Sequence, residues 1–168
     1  MSKFDELCKS YVLSREKYMA YEEDCLIFAK QLADKFIAYL EVPKNNISFV
    51  PADKAPEDRK KYSLFSAINL SDDDFWHFGM QIILYEKPNK YPHQPILLLF
   101  RLKKKNNLFY VKIPPYMEEK TIDPAKEKNF TEFFDYLFNE IKSYFEKGLQ
   151  KYHEGAEAVK TIGFIEKD

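Results

Sequence analysis

The polar and aromatic side chains best suited to recognition chemistry fall on one face of a predicted β-sheet. Imidazole can carry out acid–base chemistry, guanidinium and ammonium groups bind anions, and phenols both stack and form hydrogen bonds. His77 is the candidate for acid–base work, although a polar residue on a half-exposed strand is the commoner interpretation of such a histidine. The predicted binding set is His77, Gln81, Tyr85, Arg101, Tyr110 and Lys112.

Sequence signatures of a reaction are missing from the chain. There is no G-x-S-x-G, no glycine-rich phosphate loop, no dinucleotide fingerprint and no H-E-x-x-H spacing. Asp72, Asp73, Asp74 and His77 are metal-ligand types, but the glycine turn and distal glutamate of a calcium loop are absent. Strand alternation should also turn His77 away from this acidic cluster. We therefore expect no metal, no cofactor and a non-enzymatic protein, with catalytic residues unassigned.

The charge balance argues against a general polyanion binder. The formal net charge is -1 and the sequence pI is about 6.3, whereas phosphate affinity needs a concentrated positive surface. A local basic patch keeps single-strand nucleic-acid binding open as an alternative, because it places aromatic rings beside cations. That patch comprises Arg101, Lys103, Lys104, Lys105, Lys112, Phe109 and Tyr110.

Length, hydropathy and cysteine usage predict a single cytoplasmic domain over residues 1–168. No apolar run approaches the roughly 18–20 residues that span a bilayer, and residues 1–40 are charged throughout, unlike a signal peptide. Cys8 and Cys25 suggest no disulfide framework. No membrane partner is expected.

Two amphipathic helices are predicted to flank the sheet. Apolar residues recur at three- and four-residue steps over 3–41, with Ser14 able to cap a second helix after a break near 13–15. A second helical period covers 123–154, and Asn129 with Glu132 resembles a capping box at the start of its main part. The loop at 43–61 includes a candidate strand at 47–50, and the tail at 156–168 could add an edge strand or dock on the body.

Four strands are predicted between the helices, at 62–70, 75–86, 96–102 and 108–113, in an antiparallel meander. Matching the apolar sets across each hairpin sets the expected register. The first hairpin is expected to pair Leu70 with Trp76, Ile68 with Phe78, Ser66 with Met80 and Leu64 with Ile82. The second is expected to pair Leu102 with Phe109, Phe100 with Val111 and Leu98 with Ile113. The acidic turn at 71–74 and the basic turn at 103–107 should then lie at the same end of the sheet.

This register gives one apolar face, which both helices can cover, and therefore an α+β fold. The opposite face, called here the mixed face, is too apolar for a plain solvated surface and too polar for a second core. Such a patch usually marks a partner surface or a ligand groove, or it is covered by a loop or tail. The mixed face comprises Phe65, Phe75, His77, Gly79, Gln81, Ile83, Tyr85, Leu97, Leu99, Arg101, Leu108, Tyr110 and Lys112.

The leading functional hypothesis is a protein-binding module of the inhibitor, immunity, chaperone or adaptor type that acts through the mixed face. Self-association through the same face is compatible with this hypothesis. A small-ligand sensor or enzyme with a pocket near His77, Tyr85, Arg101 and Tyr110 is the second hypothesis, and a single-strand nucleic-acid binder is the third.

Overall fold

The computed structural model describes residues 1–88 and 90–153, with side chains through residue 148, and it has the predicted α+β class. The helices are α1 (Lys3–Leu40), α2 (Leu64–Ala67) and α3 (Glu127–His153), with a 3-10 turn at Lys44–Asn46. The strands are β1 (Ile47–Val50), β2 (Asn69–Leu70), β3 (Trp76–Tyr85), β4 (His93–Lys105), β5 (Leu108–Ile113) and β6 (Met117–Ile122).

Helix α1 runs without interruption for 38 residues, so the break predicted near Ser14 is wrong. Ser2 caps its start: the Ser2 hydroxyl accepts from the Asp5 N–H, and the Asp5 carboxylate accepts from the Ser2 N–H. Its end is at Glu41, which adopts a left-handed conformation at φ 53° before Pro43. Ser14 has no capping role because good helix formers on both sides carry the helix through it.

The six strands form one antiparallel sheet in the order β1-β3-β4-β5-β6, and β2 also pairs with β3. The predicted strand at 47–50 is confirmed as β1, which pairs Ile47 with Ile82 and Val50 with Gly79. Because Trp76 pairs with Leu102, the acidic and basic turns lie at the same end of the sheet, as predicted.

The core lies between one sheet face and helices α1 and α3, which confirms that both long helices cover the same face. Phe28 of α1 stacks on Phe109 of β5 with ring centroids 3.8 Å apart. Phe36 of α1 contacts Phe134 of α3 at 5.3 Å and Phe100 of β4 at 6.3 Å. The core residues of β3, β4 and β5 are those expected from the alternation, namely Trp76, Phe78, Met80, Ile82, Ile96, Leu98, Phe100, Leu102, Phe109, Val111 and Ile113.

The strand predicted at 62–70 is largely wrong. Ser63 and Ser66 cap each other reciprocally and start the short helix α2, so only Asn69 and Leu70 remain extended as β2. The pair Leu70–Trp76 is confirmed. The other three pairs of that hairpin are wrong, because β1 occupies the place of the missing strand and pairs with Met80 and Ile82. Phe65 consequently leaves the mixed face and lies beside α1.

The second hairpin is displaced by two residues from its predicted register. Leu102 pairs with Val111 rather than Phe109, because β4 continues to Lys105 and turns tightly through Asn106 and Asn107. Asn106 adopts φ 58°, a left-handed conformation that asparagine tolerates in two-residue hairpins. A slip of two residues preserves the pleat, so every side chain stays on its predicted face.

The C-terminal third adds a strand that the sequence did not predict. Strand β6 pairs with β5, and only Met117 and Ile122 at its ends are buried, so its polar interior conceals the strand. Helix α3 begins at Glu127 rather than Asn129, whose side chain instead accepts from the Asp123 N–H at 3.0 Å. The predicted tail contact at 156–168 lies outside the described residues.

Candidate functional site

Three neighbouring strands place four of the six predicted site residues at one end of the mixed face. His77 on β3 is opposite Arg101 on β4, which is opposite Lys112 on β5, so the three form a row across the sheet. Tyr110 lies two residues from Lys112 on β5, opposite Lys103. Gln81 lies further along β3, where the Ser48 hydroxyl donates to its Oε1 at 3.4 Å.

Tyr85 is separated from this group. It lies eight residues beyond His77 on β3, a distance of about 26 Å at the usual strand rise. Its cross-strand neighbour is His93, whose ring stacks on Tyr91 at 4.5 Å. A single small-molecule pocket therefore does not join Tyr85 to His77 and Arg101.

His77 is buried between two carboxylates that the sequence did not assign to it. Its Nδ1 lies 3.0 Å from Oδ1 of Asp53, and its Nε2 lies 2.9 Å from Oδ1 of Asp73. Both ring nitrogens therefore have a carboxylate oxygen within hydrogen-bonding distance. Asp53 comes from the 51–61 loop, so this loop covers the His77 end of the mixed face.

The expectation that His77 turns away from the acidic turn is wrong. Strand alternation does not apply across residues 71–75, because Asp74 is left-handed at φ 62° and the Phe75 N–H donates to Oδ1 of Asp73 at 3.1 Å. This local turn folds the Asp73 side chain back over His77. In the sequence, the four-residue spacing from Asp73 to His77 was the only indication of this contact. That spacing was considered only as a metal site, and it did not match a calcium loop.

The same contacts shift the acidity of Asp73. Desolvation of the carboxyl opposes ionisation, but the Phe75 N–H and the positive charges of His77 and Lys112 outweigh it and lower the pKa of Asp73 below 3.8. Asp73 is thus held as the carboxylate and ties the acidic turn to β3.

The Asp73–His77 contact predicts a specific loss of stability in acid. A carboxyl whose pKa is lower in the folded state adds stability at neutral pH, and this stability is lost as the pH falls through its folded-state pKa, below 3.8. We expect Asp73→Asn to lower the urea midpoint at neutral pH, with the difference from wild type shrinking towards zero in strong acid.

Asp72→Asn is the control for this prediction, because Asp72 is an exposed neighbour in the same turn. Urea titrations of the three proteins over a pH series provide the measurement. Parallel curves for wild type and Asp73→Asn down to pH values well below 3.8 would contradict this role for the carboxylate.

Phe75 brings two lysines together on the mixed face. Its ring is buried, and the ammonium groups of Lys103 and Lys112 lie 4.3 Å and 4.1 Å from the ring centroid. A ring quadrupole attracts cations placed over its face, so one phenylalanine holds two lysines close together. Lys103 was not in the predicted binding set, and the folded turn at 71–75 is the reason that it meets Phe75.

Arg101 adds a third cation next to these two lysines. It is half-buried, its cross-strand neighbours are His77 and Lys112, and its Nε is buried without a hydrogen-bond partner. Among the described residues, no carboxylate lies within ion-pair distance of Arg101, Lys103 or Lys112. The cationic cluster, defined as these three residues, therefore presents positive charge that the fold does not neutralise through close pairing.

The rest of the mixed face is an open, semi-apolar surface. Leu97 is 38% exposed, and Leu99 and Ile83 are half-buried. The surface of the mixed face is low at Gly79, because glycine has no side chain to fill the space between its cross-strand neighbours Val50 and Leu99. The cationic cluster borders the apolar patch at the end nearest Arg101.

No group of three or more His, Cys, Asp or Glu residues in the described part of the chain has an arrangement that could hold a metal ion. Surface hollows lie along α3 and β6, at Lys120 and Tyr136, and along α1. These hollows are away from His77, Arg101 and Tyr110.

Comparisons with known proteins return no match to a protein-family model, to a curated protein or to a solved structure. Among the helices of residues 1–88 and 90–153, none has the length and apolar character needed to cross a membrane.

Proposed function

We propose that this protein is a non-enzymatic, cytoplasmic protein-binding module whose mixed face receives an acidic segment of a partner protein. One observation carries the proposal: the cationic cluster of Arg101, Lys103 and Lys112 has no close carboxylate partner among the described residues. Unpaired cations beside an apolar patch complement a segment that alternates acidic and apolar side chains.

The chemistry of the cluster favours a carboxylate-bearing partner. A half-buried guanidinium can bind a carboxylate through two parallel hydrogen bonds, and such charge-assisted bonds are the stronger kind. The buried Nε of Arg101 is one donor that a partner oxygen would satisfy. Leu97 and Leu99 supply apolar contact area next to it, as the interior of a protein interface requires.

Two observations count against the nucleic-acid alternative. Binding of single strands depends on exposed aromatic rings on which bases stack. Phe109 lies on the helix-covered face and stacks on Phe28, and the Phe75 ring is buried beneath two lysines. Tyr110 is then the remaining aromatic residue of the predicted patch, and it is only half-exposed.

The position of His77 counts against the enzyme alternative. Both of its ring nitrogens contact carboxylates, and the side chain is buried, so it lacks a free nitrogen with which to exchange protons with a substrate. The arrangement supports a structural role, in which His77 fixes the 51–61 loop and the acidic turn onto β3.

Reversing the charge of Lys103 and Lys112 tests the proposal. We expect a Lys103→Glu, Lys112→Glu double variant to weaken partner binding by about tenfold or more, because it replaces two attractions with repulsions. Lys120→Glu is the matched control, since Lys120 is also a strand lysine over an aromatic ring, 4.5 Å from the Tyr136 centroid, but it lies on the helix side.

The measurement is affinity capture from a lysate of the source cells with the three proteins as baits, quantified by mass spectrometry at low and high salt. Support requires a protein that is captured by wild type and by Lys120→Glu, is lost with the double variant and weakens in high salt. Equal capture of the same protein by all three baits contradicts the proposal. Salt-sensitive binding of the wild-type protein to a thymidine oligonucleotide, if it is tighter than binding to the captured protein, also contradicts it. Thermal unfolding of the double variant checks that its fold is retained.

A further inference from the structure

The first half of α1 is an arm that extends beyond the folded body. Every residue from 3 to 20 is exposed, and the first buried residue of the helix is Cys25. At the usual helical rise, residues 3–20 are about 27 Å long in a helix of about 57 Å. We call residues 3–20 the arm.

The arm continues the core-facing stripe of the same helix. On this stripe the arm carries Phe4, Leu7, Tyr11 and Tyr18, with Phe4 71% and Leu7 69% exposed. Its other large apolar residues, Val12, Leu13 and Met19, are exposed on other sides of the helix. Continuing by steps of three and four residues leads to Tyr21 and then to the buried stripe at Cys25, Phe28, Leu32 and Phe36. The residues that anchor α1 to the sheet thus belong to a longer seam, half of which has no covering surface in the body.

An arm of this kind needs a partner surface to hold it. Isolated helices of this length are marginal in water, because most helical stability in proteins comes from packing of the apolar face. The local support of the arm consists of exposed contacts, which include the Ser2–Asp5 cap, the Lys3–Glu6 ion pair and the Arg15–Tyr11 hydrogen bond, and such terms are small. Large exposed apolar residues aligned along one side of a helix are typical of an interaction surface.

We propose that the arm packs against the arm of a second copy of this chain in an antiparallel two-helix seam. The continuity of the stripe gives the direction of packing. Because the body sits on the same side of α1 as the stripe, a parallel partner helix would run into the body near Tyr21. An antiparallel partner leaves the first body at one end of the seam and places its own body at the other, which gives a closed two-fold dimer.

The charges at the ends of the arm fit this direction. Glu22, Glu23 and Asp24 form an acidic run where the arm joins the body. In the antiparallel arrangement, the positive end of each helix dipole approaches the acidic run of the other copy. Tyr11 then lies nearest the two-fold axis, and Leu7 lies close to Tyr18 of the partner subunit.

The stripe offers a matched pair of leucines for the test. Leu7 is on the stripe, whereas Leu13 lies on the opposite side of the helix and is 58% exposed. We expect wild type to behave in light scattering as twice its 20.0 kDa chain mass. Leu7→Glu should raise the dissociation constant of the dimer about a hundredfold, because each copy buries a new charge, and Leu13→Glu should leave it unchanged.

Comparison of the two variants distinguishes the effect of a new charge on the stripe from the effect of a new charge elsewhere on the arm. Both substitutions lie outside the body, so circular dichroism should show retained fold in each. A wild-type monomer at every concentration overturns the proposal, and so does equal weakening by Leu7→Glu and Leu13→Glu.

Cysteine crosslinking tests the direction of packing. Arg15 and Cys8 lie on the same flank of the stripe, and an antiparallel seam brings Cys8 near residue 15 of the partner subunit. Two Cys8 residues would instead be about 10 Å apart along the seam, too far for a disulfide. Oxidised Arg15→Cys should give a covalent dimer, and adding Cys8→Ser should abolish it. A covalent dimer of wild type through Cys8, or one that survives Cys8→Ser, contradicts the antiparallel seam.

Discussion

Replacement of Phe100 by alanine is expected to lower the free energy of unfolding by about 3–5 kcal/mol, the usual range for removing a buried phenylalanine. Phe100 is fully buried on β4, the strand at the middle of the sheet order. Its ring stacks on Phe78 with centroids 4.8 Å apart and meets the edge of Phe36 at 6.3 Å. The cavity would therefore open at the point where β3, β4 and α1 meet.

This loss of unfolding free energy is large enough to affect the mixed face as well as the core. Domains of this size are typically stable by about 5–15 kcal/mol, so Phe100→Ala should fold with a much reduced margin. Leu99 and Arg101 flank Phe100 on β4 and point to the mixed face, so a relaxed core also loosens that face. Urea denaturation measures the loss, and Phe100→Leu, which removes fewer atoms, should cost less. Equal stability of wild type and Phe100→Ala would contradict the packing described here.

The parts of the fold that sequence predicts well are those determined by alternation over long strands. Over residues 76–82, large apolar side chains alternate with His77, Gly79 and Gln81, and this alternation assigns the two faces of β3. The slip of two residues at Leu102 changed the partner of each residue but not its face, since the pleat repeats every two residues. The face is therefore a more robust prediction than the register.

Short elements with polar sequences were not predictable in the same way. The reciprocal cap of Ser63 and Ser66 turns an apparent strand into α2, because a local hydrogen-bonding pair outweighs a weak strand pattern. Strand β6 has a charged interior and is extended because it pairs with β5. Its environment, rather than its composition, determines its structure.

The candidate site likewise has one part that the sequence predicts and one part that it does not. The row His77, Arg101 and Lys112 follows from strand order and pleat, both of which the sequence indicates. The two carboxylates on His77 and the two lysines on Phe75 depend on how the 51–61 loop and the 71–75 turn fold back over the sheet. Loop paths are set by a few local hydrogen bonds and left-handed residues, which spacing alone does not reveal.

The substitution Gly79→Ala is expected to destabilise the protein by about 1–3 kcal/mol, the usual cost of overpacking. A β-carbon on Gly79 would lie 2.7 Å from Cγ2 of Val50, 2.9 Å from the Val50 carbonyl oxygen and 3.3 Å from Cδ1 of Leu97. The Val50 side chain is β-branched and stiff, and its carbonyl moves only if β1 moves. The smallest possible side chain at this position therefore pushes an edge strand away from β3.

The position of Val50 gives this substitution a second effect. Val50 ends β1 and leads through Pro51 to the segment that carries Asp53, which contacts His77. A displaced β1 should weaken that contact, so Gly79→Ala is expected to change the NMR shifts of the His77 ring as well as the urea midpoint. Gln81→Ala is the matched control, two residues along the same strand and face, and it should cost less than about 1 kcal/mol. If Gly79→Ala matched wild type in both measurements, β1 would have to be freer to shift than its pairing with β3 indicates, and the loop over His77 would not depend on it.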